Sequence, residues 1–596
     1  MKWLKPDYLP MFINSHTPQK TLGIQTQTIQ SLPEPIQHVA QSLMKSGMGT
    51  LFLGLLLLII GMNLFSARKG KISTGRFGGR TERWAAAAIA RQQRRGNKPN
   101  KVALRAGNID LPQAQQSIIV SGAPDSGKTF SIIDRAIQDA ICQGFPIVVY
   151  DFKGSQLEAH AAYAAAQGYQ VDVFAPGQSY TGICNPLDFL ADESDSLMAS
   201  QLAEVIQKNA QRNGGSSYEN DFFAAAGAFL VEAVMLLAKT TPYPDLFMAN
   251  KILNLENLPA RIRLAQMEGR IPAWTLESFS QLISSEGADK QVAGIIATAQ
   301  KTFKKFIGKQ LVSSFCGNTS IALDLTGKRI LFLQVDIQKR DAVSPLLAAV
   351  LHMLVLRNFA KPRTETLVVA LDELPTLYLA DLYKWVNEFR SYGFVSLLGY
   401  QNFAQLQHIY GREVSQALFA ACGTKIFFNP KHRETANEFS GYLGDKEVRL
   451  FTNSRSSGMQ RSTSRNEQYQ KVPLMTPDQI LKLDQGECIL INPAYKGGGE
   501  AFIPMRVKVR VPQREIRIEQ RSIQLWNTMV RDRLIQRATQ LHLLDQDPAK
   551  ENERRRDLAE KLFPLPKDSK NIASGQSHDT ESDISEDEYD EIFQYR

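Results

Sequence analysis

The residues Gly122, Ala123, Pro124, Asp125, Ser126, Gly127, Lys128 and Thr129 spell GxxxxGK[ST]. That spacing suits a loop that wraps phosphates. Its glycines let the backbone turn sharply, and successive N–H groups at a helix N-terminus face the negative charge. Lys128 is expected to reach the β- and γ-phosphates of ATP, and the Thr129 hydroxyl to ligate Mg2+. SIIVS (Ser117–Ser121) before the loop reads as a strand, and FSIIDRAIQDAI after it reads as a helix.

A phosphate loop needs an acidic partner. Leu367–Glu373 reads LVVALDE, five apolar residues and then two acids. Asp372 is expected to hold the Mg2+ and Glu373 to polarise the attacking water, a pairing that favours hydrolysis over nucleotide binding alone. The plain alternative is a strand that ends at a polar turn. The next strand ends at Tyr400-Gln401-Asn402. Gln401 is therefore expected near the γ-phosphate, where it could report nucleotide state; otherwise it is a helix-capping polar residue.

These side chains need a sheet to hold them. Candidate strands are Ser117–Ser121, Ile147–Asp151, Val171–Ala175, Ile330–Asp336, Thr366–Asp372, Val395–Tyr400 and Thr424–Phe428. Most are continuous apolar runs, the signature of a parallel sheet covered on both faces. Alternation with helical segments predicts a doubly wound α/β domain in two parts, 111–186 and 319–512. Between them, 187–318 has helical patterning throughout and reads as an all-α insertion. The Ser/Arg-rich stretch 451–470 reads as a mobile loop. The region 513–596 is charged, lacks aromatic content for a core and ends in an acidic, disordered tail.

The run Gly47–Ala67 carries no charge and is long enough to span a bilayer. It follows a leader, 1–46, and precedes a basic stretch, 68–110, that reads as a cytoplasmic linker with a surface helix. Arg68, Lys69, Lys71, Arg76, Arg80 and Arg83 crowd its C-terminal side, so the positive-inside rule puts the bulk of the chain in the cytoplasm of a single-pass inner-membrane protein. The net charge of +9 hides an asymmetry: the tail carries −7 and the rest +16. A basic body suits DNA or anionic lipid. The five cysteines, widely spaced, exclude a disulfide framework and show no metal-ligand spacing.

Several segments together resemble the type IV secretion system coupling proteins of the TraG/TraD class. They are IVVYDFKG (Ile147–Gly154), ICNPL (Ile183–Leu187), LDELP (Leu371–Pro375), FRSYG (Phe389–Gly393), QNFAQLQHIYG (Gln401–Gly411), CGTKIFF (Cys422–Phe428) and VPLMTPDQI (Val472–Ile480). The resemblance runs from about Ser117 to Pro504 and rests on order as much as on any one motif. It implies a RecA-like ATPase that forms a homo-hexameric ring. Such a ring would pass single-stranded DNA or a relaxase–DNA complex to type IV secretion channel proteins. It also implies that Arg390 serves as a finger offered across a subunit interface. Members of that class commonly carry two transmembrane helices; this sequence shows one. Two other readings compete: an FtsK-like double-stranded DNA translocase, and a non-hydrolysing substrate receptor or scaffold.

Overall fold

The computed structural model describes residues 73, 75–96, 98–211, 221–285, 287–304, 307–456, 462–541 and 547–566. The leader, the apolar run Gly47–Ala67 and the acidic tail lie outside the described residues. Thirteen strands are present among the described residues. They are β1 (Leu104–Ala106), β2 (Ile109–Leu111), β3 (Ile118–Ser121), β4 (Ile147–Asp151), β5 (Gln170–Phe174), β6 (Arg329–Gln334), β7 (Leu367–Leu371), β8 (Phe394–Tyr400), β9 (Thr424–Phe427), β10 (Asp445–Ser456), β11 (Ser462–Pro473), β12 (Glu487–Ile491) and β13 (Met505–Lys508).

Nine strands form one sheet in the order β13-β12-β9-β3-β8-β7-β4-β6-β5. The seven from β9 to β5 pair in parallel, while β12 and β13 add an antiparallel edge. Adjacent residues of one strand feed opposite cores. Ile119, Val148, Val369 and Leu398 belong to one apolar cluster, and Ile118, Val149, Val368 and Leu397 to the other. Both faces are covered, which is why these strands read as unbroken apolar runs.

The seven expected strands are all present, each shifted by at most two residues at an end. From Pro186–Phe189 to Val312–Phe315 every described element is helical. These helices do not close a core of their own. Ser196–Gln211 and Asp221–Lys239 share one apolar cluster with the sheet and with the helix Arg340–Phe359. Among the described residues, one helical segment, Ile337–Phe359, is long and apolar enough to cross a bilayer, and it is mostly buried inside the protein.

Three expectations are corrected. The stretch 451–470 is no mobile loop: its described residues lie in a two-stranded ribbon, β10 with β11. Lys446–Val472 falls in a contact unit separate from Gly75–Asp445 and Pro473–Arg596. Within the ribbon Arg449 ion-pairs with Glu467 and donates to the Tyr469 hydroxyl at 2.7 Å. At 467–470 the side chains are polar or aromatic and exposed, so the sequence there lacks the two-residue apolar alternation of a strand.

The linker 68–110 carries the expected surface helix, Arg80–Gly96, but is also more than a connector. Val102, Leu104, Ala106 and Ile109 are buried, and β1 pairs with β2. The charged region after Pro512 folds into helices at Gln513–Leu525, Asp532–Gln540 and Pro548–Leu562. Two aromatics tie it in: Trp526, buried edge-on against Tyr180, and Phe563, buried at the end of the last helix.

Candidate nucleotide site

In a parallel sheet the carboxyl ends of all strands share one edge. β3 pairs with β8 so that Ser121 lies opposite Tyr400. β7 pairs with β4 and β8, with Leu371 opposite Tyr150 and Leu398. The next row along that edge therefore holds Asp151, Asp372 and Gly399. β8 lies between the phosphate-loop strand and the strand of the acid pair, so Gln401, just beyond its end, falls between the two.

The loop is held on both sides. Gly122 N–H donates to Tyr400 O at 3.2 Å, and Ala123 N–H to Asn429 O at 3.0 Å. Gly486 N–H donates to Ser126 O at 2.9 Å. Asp125 and Gly127 have φ of +65° and +98°, the left-handed turn that the glycine accommodates. A helical run starts at Thr129 with a π-helical turn and continues as Asp134–Gln143.

Lys128 is 5% exposed. Its Nζ donates to Asp372 O at 3.0 Å, lies 3.1 Å from Asp372 Oδ1 and 3.8 Å from Glu373 Oε1. Thr129 Oγ1 donates to Asp372 Oδ2 at 2.6 Å. Gln401 Nε2 donates to Glu373 Oε2 at 3.2 Å. Close approach of β8 is essential here: a Cβ on Gly399 would meet Asp372 O at 2.2 Å. Burial pushes the Asp372 carboxyl up, and the Lys128 charge and the Thr129 hydroxyl oppose that shift. A hydroxyl and a carboxylate oxygen in contact form a hard-oxygen pair of the kind Mg2+ takes, so the donor set fits the ion.

Arg390 stands apart. It is exposed, in a turn of helix (Phe389–Tyr392) that precedes β8. The seven residues of β8 separate it from the site by roughly 23 Å. Within its own chain the structure does not bring it to the phosphate loop.

Residues 66–497 match the family described as Type IV secretory system Conjugative DNA transfer. The chain belongs to that family. Over 120 residues it is 30% identical to the coupling protein TraD of Escherichia coli (strain K12), covering 20% of this chain and 17% of TraD. The aligned part thus spans about a sixth of that relative's length. The fold is similar to the plasmid coupling protein TrwB in complex with the GTP analogue GDPNP, with TM-score 0.53 and 16% identity, over 75% of this chain and 98% of that one. It is likewise similar to TrwB in complex with ADP and Mg2+, with TM-score 0.52 and 17% identity, over 72% of this chain and 92% of that one.

In this member of the conjugative transfer family, the structure adds one residue to the site. Lys153 Nζ lies 3.0 Å from Glu373 Oε1. Asp151, at the end of β4, sets its place: the carboxylate accepts Gly154 N–H and Leu157 N–H, each at 2.7 Å. Burial raises the Asp151 carboxyl to about 6 despite those bonds. Burial works against the Lys153 charge, but the hydrogen bond and charge of Glu373 outweigh it and raise its pKa. The signal in the sequence was a lysine two residues beyond an acid that closes a buried strand.

Proposed function

We propose that the chain is a membrane-anchored ATPase that drives single-stranded DNA, or a relaxase–DNA complex, into a type IV secretion channel as a homo-hexamer. The observation that carries the catalytic part is the convergence of Lys128, Thr129, Asp372, Glu373 and Gln401 on one sheet edge. Bound MgATP would supply the phosphoanhydride and neutralise part of its charge. Thr129 and Asp372 would hold the ion, and Lys128 would meet the phosphates. Glu373, oriented by Gln401, would accept the proton of the attacking water. A scaffold that only bound nucleotide would have no use for a second carboxylate aimed at the loop lysine.

The membrane part rests on the uncharged run Gly47–Ala67 and the basic residues after it. Membership of the conjugative transfer family and the basic body support the DNA substrate. The test is to crosslink the protein in cells and sequence the nucleic acid bound to it. Single-stranded DNA is expected. Recovery of duplex DNA alone would support the double-stranded translocase instead, and recovery of none would remove DNA as the cargo.

A further inference from the structure

The helix Arg80–Gly96 has two faces of different chemistry. Its inner face is fixed. Ala86 and Ala90 are buried, and Glu82 accepts Gly79 N–H at 2.7 Å and pairs with Arg76 at 2.8 Å. Gln93 Oε1 accepts Gln113 N–H at 2.9 Å, and Arg94 pairs with Asp139 at 2.8 Å. The helix can therefore neither roll nor detach without breaking these contacts.

The outer face repeats at helical spacing: Arg80, Trp84, Ala88, Arg91 and Arg95 fall on one stripe, with Arg83 on its flank. Trp84 is 72% exposed. The helix's one acid, Glu82, points inward. Among the described residues no carboxylate lies within ion-pair distance of Arg80, Arg83, Arg91 or Arg95. An indole held in solvent at the centre of four unpaired guanidinium groups suits the boundary of an anionic bilayer. There the ring sits among the headgroups and the cations meet lipid phosphates. Duplex DNA would satisfy the charges but leaves a lone indole on a fixed helix nothing to stack on. An unpaired base of single-stranded DNA would stack on it, and the short tether to the apolar run is what favours lipid over that strand.

Chain length agrees. Twelve residues lie between Ala67, the end of the apolar run, and Arg80, a span of at most about 45 Å of extended backbone. The helix is tethered within reach of the surface that the run would cross.

We infer that the stripe Arg80–Trp84–Ala88–Arg91–Arg95 is a docking surface for anionic phospholipid headgroups. This rests on the membrane anchor proposed above. Each basic residue at such a surface strengthens attachment about fivefold, so the set fixes how the body meets the membrane.

The test uses the full chain in nanodiscs of phosphatidylcholine, with or without phosphatidylglycerol, carrying brominated acyl chains that quench nearby indoles. The Trp84→Phe variant gives the background from the other tryptophans. The Trp84 signal should be quenched in phosphatidylglycerol discs, released by salt, and lost in the Arg91→Glu/Arg95→Glu variant. Equal signals in both lipids would overturn the inference. So would shielding of Trp84 that follows protein concentration, which would mark a second copy of the chain, or that needs added DNA. Failure of the chain to stay in the discs at all would instead remove the anchor.

Discussion

Lys153, two residues past the end of the neighbouring strand β4, reaches Glu373, its Nζ 3.0 Å from Oε1. Glu373 is buried, and Gln401 touches the same carboxylate. The carboxylate proposed to activate water is thus held in place by one cation and one amide. Replacing Lys153 by Met should lower the hydrolysis rate roughly 10²-fold, the scale expected when one fixed charged group leaves such a site. The affinity for ADP should change little, because Lys128 and Thr129 remain. Equal losses in binding and turnover would show that Lys153 only supports the fold.

In the proposed ring Arg390 would act on a neighbouring subunit, since its own nucleotide loop lies at the opposite end of β8. Arg390→Ala and Lys128→Ala should each be nearly inactive alone, and mixing them should restore activity. Some interfaces would then join an intact loop to an intact arginine, and a supplied finger is worth about 10³–10⁵ in rate. No recovery in proven mixed oligomers would exclude Arg390 as a finger in trans.

Glu82 makes stability depend on acid. Burial alone would raise its carboxyl, but Gly79 N–H, the Thr81 hydroxyl and the Arg76 guanidinium hold it down to about 2. A depressed carboxyl stabilises the fold fully above its unfolded value of 4.5, and that contribution is lost as pH falls from 4.5 towards 2. It amounts to about 3 kcal/mol at most. Denaturant titrations of Glu82→Gln should therefore show a deficit at pH 7 that closes below pH 3. A deficit unchanged with pH would mean that packing, not charge, is what the residue contributes.

Arg555 anchors the helix Pro548–Leu562. Its buried guanidinium pairs with Asp245 at 2.6 Å and with Glu551 at 2.9 Å. Arg555→Ala would leave Asp245 buried and unpaired, which costs about 3–5 kcal/mol. Proteolysis should then release the C-terminal segment, or the whole chain should unfold at lower denaturant. Wild-type resistance would show that the ion pair contributes little.

The buried parallel strands were legible because each must be apolar on both faces, so β4 and β7 read as unbroken runs. Asp372, Glu373 and Gln401 were legible because they follow such runs directly. β13 was not: its residues alternate buried and exposed, with Arg506 and Lys508 outward, and it sits at an edge. Lys153 was named only as part of a motif. Its partner lies far along the chain, and only the pairing of β4 with β7 brings the two together. The ribbon β10–β11 and the helices after Pro512 were missed because charged and hydroxyl residues hide their pattern. Trp526 and Phe563 mark where the second of these joins the core.

The central claim is that this sheet edge hydrolyses ATP, and the direct measurement is phosphate release by the purified full chain beside two variants. The wild type should turn over ATP, Lys128→Ala should lose activity at least about 10²-fold while remaining folded, and Glu373→Gln should bind ATP and retain it unhydrolysed. Hydrolysis by Lys128→Ala at the wild-type rate would place the nucleotide site elsewhere and contradict the account.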